Sequence, residues 1–187
     1  PLNLLKIWEG GLASHGGALG IIIAVYFLNK KVIHQSMLWI LDRLVVPTAL
    51  AASLIRLGNL FNHEIVGSPS DLPWAFQFAL HDAIPRHPAQ LYEAICYLII
   101  FILLMVLYWK TNASALKGFL LGIFFVTLFG CRFFIEFIKE DQADFENGMI
   151  INMGQILSLP LILYGLYLFI RNVKNLKSGK PTPVKLG

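Results

Sequence analysis

The chain has 187 residues, of which 57% are hydrophobic and 14% charged, and its formal net charge is +4. A soluble globular domain carries about 25% charged residues, so this composition excludes that class and indicates a helical membrane protein. The basic excess lies in short connecting stretches, which is typical of a topology signal and argues against nucleic acid as a partner.

Apolar segments of near-spanning length follow one another along the chain, at roughly residues 15–29, 37–58, 88–109, 118–138 and 150–170. The first is short for a span, which needs about 20 residues, and can start at the membrane surface. We therefore predict an all-α, polytopic transmembrane helical bundle with about five spans. Residues 1–187 are predicted to form a single membrane domain, with residues 171–187 as a cytoplasmic basic tail.

The connecting stretches alternate in charge. Nine basic and no acidic residues lie in the stretches at 29–36, 110–117 and 171–187. Three basic and eight acidic residues lie in the stretches at 1–14, 59–87 and 139–149. The positive-inside rule places the basic set and the C-terminus in the cytoplasm, and the acidic set outside. With an outer N-terminus and no initiating Met, the chain is expected to be the C-terminal part of a longer architecture.

Arginines inside the apolar segments indicate a binding site, because an ionisable group at a helix centre costs about 2.5–3.5 kcal/mol. Arg56 and Asn59 would share a helix face, and Asn62 and Glu64 follow in the outer loop. A snorkelling side chain would explain Arg56 alone, but not this density of polar residues. A second arginine, Arg132, lies in the fourth segment. Two guanidinium groups at this depth favour an anionic substrate, most simply a phosphate.

Three further features each allow two interpretations. Arg132 and Glu136 are spaced i,i+4, so Glu136 either forms an intrahelical ion pair that eases insertion or orients Arg132 toward a ligand. His15, followed by two glycines, is either an interfacial residue or a base that works near neutral pH. The stretch at 86–93 is either a capped helix start, with Pro88 in a favoured position, or a polar surface of the site.

Two other sets of residues have simpler interpretations. Asp42 and Arg43 lie near the cytoplasmic start of the second segment, where a local ion pair or an anchoring role is expected. Cys96 and Cys131 have no paired spacing, so neither a disulfide framework nor a metal site is predicted.

Several ordered motifs of the sequence are shared with one family. They are WEGG at 8–11, SHGG at 14–17, RLGNLFNHEIVG at 56–67, RHPAQLYE at 86–93, CRFFIEF at 131–137 and MGQILSLPLIL at 153–163. In these motifs the chain resembles the prolipoprotein diacylglyceryl transferase family. It departs from the family pattern at His63, where Gly is common, and at Phe61, where the aromatic residue comes one place later. Family members usually carry two further spans ahead of this start, one with a tyrosine implicated in activity, so the chain is expected to lack them.

The resemblance implies an enzyme of the bacterial cytoplasmic (inner) membrane that carries out the first step of lipoprotein maturation. It would transfer the sn-1,2-diacylglyceryl group from phosphatidylglycerol to the lipobox cysteine thiol of a prolipoprotein, forming a thioether and releasing glycerol phosphate. The implied partners are phosphatidylglycerol, the prolipoprotein signal peptide with its lipobox cysteine, and the lipid bilayer. No cofactor is implied.

The resemblance also implies roles for particular residues. The catalytic set comprises His15 as the base, Arg56 and Arg132 on the phosphate, and Glu136 orienting Arg132. The residues implied to bind substrate are Arg56, Asn59, Asn62, Glu64, Gly67, His87 and Tyr92, with His87 also the second candidate base.

Two alternatives to the transferase stay open from the residues alone. A transporter or channel for an anionic solute would also place arginines at membrane depth, although such folds often show internal repeats and this sequence has no convincing one. The concentration of polar clusters on one side of the membrane favours an interfacial enzyme. The other alternative is an inert truncated product.

Overall fold

The apolar segments of the sequence form α-helices, and the polar stretches join them. A computed structural model describes residues 14–140 and 151–177 of the chain. The helices are α1 (Ser14–Leu28), α2 (Met37–Phe61), α3 (Ala89–Lys110), α4 (Phe119–Ile135) and α5 (Met153–Lys177). The all-α prediction is confirmed. The predicted segments match these helices within a few residues, except that α5 continues to Lys177.

The chain divides into two compact units, residues 1–40 and 41–187. In the first unit, α1 runs into a π-helical turn at Asn29–Ile33. His34 ends this turn with a left-handed backbone (φ 53°), and its N–H donates to the Asn29 carbonyl at 2.8 Å. The prediction that residues 1–187 form one domain with a basic tail stays a prediction, and residues 178–187 lie outside the described part.

Four of the described helical segments are long and apolar enough to cross a membrane, namely Met37–Phe61, Ala89–Lys110, Phe119–Ile138 and Met153–Lys174. The sequence predicted about five spans. The first helix, α1, has 15 residues, fewer than the roughly 20 that a span needs. The protein is thus a multi-pass membrane protein, with exposed Leu, Ile and Phe side chains on these helices suited to contact with lipid.

At one end of the second unit, hydrogen bonds to a buried carboxylate of α2 connect this helix to the start of α4. Asp42, on α2, accepts the backbone N–H groups of Gly118 at 2.5 Å and Leu121 at 2.8 Å, so it caps the N-terminus of α4 from a neighbouring helix. The local ion pair or anchoring role predicted for Asp42 and Arg43 stays a prediction. Arg43 lies with its guanidinium carbon 5.8 Å from the centre of the Tyr108 ring.

Helices α4 and α5 pack closely because glycines face each other at their contact. A Cβ added to Gly122 would lie 2.9 Å from the carbonyl oxygen of Gly165, and one added to Gly165 would lie 2.8 Å from that of Gly122. Small residues allow backbones of membrane helices to approach in this way. The rings of Phe119 and Phe169 stack beside this contact, with centroids 5.6 Å apart.

The loop between α2 and α3 is fixed by short stretches of β pairing. Strands β1 (Phe76–Gln77) and β2 (Pro85–Arg86) pair antiparallel, and an isolated bridge joins Gly67 to Lys139. This bridge places the chain that leaves α4 against the loop that follows α2. The end of α2, the start of α3 and the end of α4 therefore meet at one end of the unit.

Candidate active site

Four buried or half-buried charged side chains from α2, α3 and the segment that follows α4 form a central ion cluster, which consists of Arg56, Glu93, Glu136 and Lys139. Glu93 Oε2 lies 3.0 Å from Arg56 Nε in an ion pair whose alignment is not that of a hydrogen bond. Lys139 Nζ donates to Glu93 Oε1 and to Glu136 Oε2, at 3.0 Å each. The side chains of Glu93 and Lys139 are 0% and 1% exposed. Two cations and two carboxylates therefore balance each other away from water.

Two more side chains lie around this cluster. The Tyr97 hydroxyl donates to Glu93 Oε1 at 3.2 Å, one helical turn along α3. Arg132 lies on α4 one turn before Glu136, whose backbone N–H donates to the Arg132 carbonyl. Within the described part of the chain, the side chain of Arg132 has neither a hydrogen bond nor an ion pair. Arg132 thus adds a cationic charge to a central ion cluster whose own two cations and two carboxylates balance.

A chain of hydrogen bonds leads from the central ion cluster into the loop after α2. Arg56 Nη1 donates to Asn59 Oδ1 at 3.4 Å, and Asn59 Nδ2 donates to Glu64 Oε2 at 2.8 Å. Gln90, on α3, donates to the backbone carbonyl of Glu64 at 2.6 Å. The predicted common face of Arg56 and Asn59 is therefore present, and Glu64 is held on the same side.

The predicted pairing of Arg132 with Glu136 is not what the structure shows. Helix α4 ends at Ile135, and residues Glu136–Ile138 form a 3₁₀ turn. Side chains three residues apart eclipse each other in a 3₁₀ turn, which brings Glu136 to Lys139. Glu136 is thus bound by Lys139, and in the described residues it has no ion pair with Arg132.

Gly67 lies at a crossing of two chain segments. Its N–H donates to the His87 carbonyl at 3.2 Å, and its own carbonyl accepts from Arg86 Nη1 at 3.1 Å. A Cβ at this position would collide with the His87 carbonyl oxygen and would lie 2.7 Å from His87 Cβ. The absence of a side chain at Gly67 therefore allows the loop to pass the start of α3.

The remaining predicted site residues differ in their contacts and in their exposure to solvent. Tyr92 accepts a hydrogen bond from Trp74 Nε1 at 2.9 Å, and its ring meets that of His87 edge-on. Within the described part, the buried His87 Nδ1 has no hydrogen-bond partner. Asn62 is exposed, and its backbone N–H donates to the Gly58 carbonyl at 2.9 Å. His15 lies in the first turn of α1, but its side chain, like the WEGG motif at 8–11, is outside the described part.

The sequence analysis did not predict three residues of the site, namely Glu93, Tyr97 and Lys139. Glu93 could be interpreted as part of a capped helix start, and Lys139 as one charge of a solvated loop. The signal for Lys139 was its spacing of three residues from Glu136, which becomes informative only when the helix is known to end between Arg132 and Lys139.

Comparison with known proteins identifies the family of the chain. Residues 1–171 match the family described as prolipoprotein diacylglyceryl transferase. The chain belongs to this family.

Named relatives extend the match. The chain is 49% identical over 174 residues to the phosphatidylglycerol–prolipoprotein diacylglyceryl transferase of Chloroherpeton thalassium, covering 93% of this chain and 65% of the relative. It is 48% identical over 189 residues to the protein of the same name from Porphyromonas gingivalis, covering 94% and 67%. The corresponding protein of Tolumonas auensis is 46% identical over 174 residues, covering 93% and 67%. The chain thus spans about two thirds of the length of these relatives.

The structure gives a physical reason for the glycine that is common in the diacylglyceryl transferase family at the place of His63. His63 has a left-handed backbone, with φ 58°, which glycine adopts at little cost. Here the imidazole compensates, because His63 Nδ1 accepts the Leu80 N–H at 3.1 Å and the ring packs edge-on against Phe78.

A second cluster of charges holds the loop before α3. Arg86 Nε donates to both Asp82 oxygens, at 3.2 and 3.0 Å, and Arg86 Nη1 lies 3.2 Å from Glu140 Oε1. The hydrogen bonds from Arg86 hold the pKa of the Asp82 carboxyl below its usual range. Because the guanidinium of Arg86 is bound by Asp82 and Glu140, it is not available to bind a phosphate.

Among the described residues, no three His, Cys, Asp or Glu side chains are grouped as metal ligands.

Proposed function

We propose that the protein transfers the sn-1,2-diacylglyceryl group of phosphatidylglycerol to the lipobox cysteine thiol of a bacterial prolipoprotein, the first step of lipoprotein maturation. The match of residues 1–171 to the prolipoprotein diacylglyceryl transferase family carries this proposal. The relatives' names support phosphatidylglycerol and a prolipoprotein as the two substrates. The signal peptide that bears the lipobox cysteine is the partner segment that must reach the site.

The reaction requires the protein to bind an anion, whereas the nucleophile is the thiolate of the substrate. The substrate's thiolate sulfur attacks the glyceryl carbon that bears the phosphate oxygen, and a C–S bond forms as the C–O bond breaks. The electron pair of the C–O bond leaves with the oxygen, so glycerol phosphate departs. The thiol proton goes to a base, because the thiolate is the reactive form. We assign this base to His15, with His87 as the second candidate.

The phosphate is assigned to the two arginines. Arg132 has no ion pair in the described part of the chain, and Arg56 lies beside Glu93, with its Nε 3.0 Å from Glu93 Oε2. Guanidinium groups in a site of low dielectric stabilise the negative charge that grows on the departing oxygens. Asn59 and Glu64 are proposed to position oxygens of the glycerol headgroup, because they extend the hydrogen-bond chain from Arg56.

The other candidate residues are proposed to shape the entrance. Asn62 is exposed next to Glu64, Gly67 keeps the loop close to α3, and Tyr92 is held by Trp74. Glu136 belongs to the site through its ion pair with Lys139.

The protein is proposed to lie in the bacterial cytoplasmic (inner) membrane with its site toward the outer face. The acidic loops, which include the one between α2 and α3, are assigned to that face and the basic C-terminus to the cytoplasm, by the positive-inside rule. The lipid donor would then enter sideways from the outer leaflet of the bilayer. No cofactor is proposed.

Replacing Arg56 tests the phosphate site. We expect Arg56→Ala to lower transfer by at least about 100-fold, the effect of removing one donor to a developing anion. The measurement is transfer of labelled diacylglyceryl from phosphatidylglycerol vesicles to a lipobox peptide, with thioether product quantified. Arg56→Lys keeps the charge without the fork, so we expect a smaller loss.

The control is Lys110→Ala, an exposed cation at the far end of α3. Both variants are first shown to insert at parental levels in the membrane fraction. Parental activity in an inserted Arg56→Ala variant would contradict the assignment of the phosphate to Arg56.

A further inference from the structure

Lys139 is the one cation of the central ion cluster that the proposed reaction does not use. We propose that Lys139 is a positioning residue, which binds Glu136 and thereby keeps this carboxylate away from Arg132. The guanidinium of Arg132 then stays available for the phosphate diester of the lipid donor. This inference rests on the proposed function, and it assigns a specific task to a residue that touches neither substrate.

The first support is the position of the lysine between two carboxylates. Lys139 Nζ lies 3.0 Å from both Glu93 Oε1 and Glu136 Oε2, and the three side chains are 1%, 0% and 6% exposed. An ammonium group has three donors and no acceptor, so it can bind both carboxylates at once. A lysine buried to this degree is rare unless it is paired, and here it is paired twice.

The second support is the distribution of charge. Glu93 already balances Arg56, and Glu136 is bound by Lys139, so two cations and two anions cancel. Arg132 is the fifth charge. In the described part of the chain it has no ion pair, although a carboxylate follows it by four residues, at a spacing that pairs readily in a continuous helix. Glu136, which could pair with Arg132 by its spacing in the sequence, is bound by Lys139 instead.

The third support is that Glu136 is held from two sides. A Cβ on Gly154 of α5 would lie 2.7 Å from Glu136 Cδ and 2.7 Å from its Oε1, so the carboxylate packs directly on the backbone of that helix. On its other side, Lys139 is fixed through its backbone, which bridges Gly67. The carboxylate is therefore confined between α5 and the ammonium group.

Replacing Lys139 should release this carboxylate. In Lys139→Met, Glu136 loses its cation, and the nearest unpaired cation on its own chain segment is Arg132. Pairing of Glu136 with Arg132 would compete with the lipid phosphate. Because a hydrogen bond between charged groups changes affinity by about 10- to 100-fold, we expect KM for phosphatidylglycerol to rise by that factor. KM for the lipobox peptide should stay at the parental value.

The double variant Lys139→Met/Glu136→Gln separates positioning from simple structural support. It removes the released carboxylate together with the lysine, so KM for phosphatidylglycerol should return to within about threefold of the parent. A lysine that only supported the fold would leave the double variant as impaired as Lys139→Met. Lys139→Arg keeps the cation and should resemble the parent.

The experiment measures KM for each substrate separately in the parent and these three variants, in liposomes, after inserted protein has been quantified. A raised KM for phosphatidylglycerol in Lys139→Met that the double variant reverses would support the inference. An unchanged KM in inserted Lys139→Met, or no recovery in the double variant, would overturn it. If Lys139→Met fails to insert, the Lys139→Arg variant tests the inference in its place. A parental KM for phosphatidylglycerol in Lys139→Arg would support the inference, and a tenfold rise would overturn it.

The same proteins distinguish failure of the inference from failure of the proposed function. An inactive parent would count against the transferase, and equilibrium binding of phosphatidylglycerol would then be measured in place of turnover. Binding weakened in Lys139→Met and recovered in the double variant would still support the role of Lys139. Equal binding by the parent and Lys139→Met would overturn it.

Discussion

At the scale of single residues, Glu93 organises the candidate site. Its two oxygens meet Lys139 and Tyr97 on one side and Arg56 on the other. Removing water from a carboxylate is costly, and a buried ion pair is weak evidence for stability because desolvation offsets much of the attraction. The cluster is therefore better explained by the arrangement of charge that it maintains than by a gain in stability.

Gly67 provides a prediction at the same scale. Gly67→Ala should lower the stability of the protein by about 1–3 kcal/mol, because the new Cβ collides with backbone that cannot turn away. The measurement is thermal unfolding in detergent, followed by intrinsic fluorescence. Gly58→Ala is the matched control, since a Cβ there meets nothing within 4 Å and alanine is the better helix former. Equal stability of Gly67→Ala and the parent would show that the crossing at His87 can relax.

At the scale of elements, the end of α4 decides which side chains meet. Arg132 and Glu136 remain one turn apart at this end, since the Glu136 N–H donates to the Arg132 carbonyl. The change to a 3₁₀ turn at Glu136–Ile138 rotates the following residues and brings Lys139 into the protein. The tightened segment is held against the loop after α2 by two backbone hydrogen bonds, in which the Ile138 carbonyl accepts the Ser68 N–H and the Glu140 N–H donates to the Val66 carbonyl.

The start of the same helix yields a second prediction. Asp42→Ala removes both carboxylate oxygens that accept the N–H groups of Gly118 and Leu121. Loss of a helix cap costs about 0.5–2 kcal/mol, so the unfolding temperature should fall while the transfer activity per inserted molecule stays unchanged. Asp71→Ala, an exposed carboxylate in the loop after α2, is the control. An Asp42→Ala variant as stable as Asp71→Ala would contradict the capping role.

At the scale of the whole molecule, the charges of the loops predict how the protein lies in the membrane. Asp71 belongs to an acidic stretch and Asn112 to a basic one, and both residues are exposed. In a background with Cys96 and Cys131 replaced by serine, an impermeant thiol reagent should label Asp71→Cys in intact spheroplasts. Asn112→Cys should react only after the membrane is permeabilised, because the positive-inside rule places it in the cytoplasm. The reverse pattern of labelling would place the candidate site on the cytoplasmic face.

The sequence by itself determined the helices, because long apolar runs must satisfy their backbone hydrogen bonds within the segment. It also predicted the shared face of Arg56 and Asn59, and its motifs indicated the family before any comparison. The tertiary structure alone decided how the charges pair. Glu93 and Lys139 are 46 positions apart, and Asp42 caps a helix that begins 77 positions later. Spacing along a chain predicts neighbours within one helix, whereas contacts between helices depend on where each helix ends and how closely its neighbours approach.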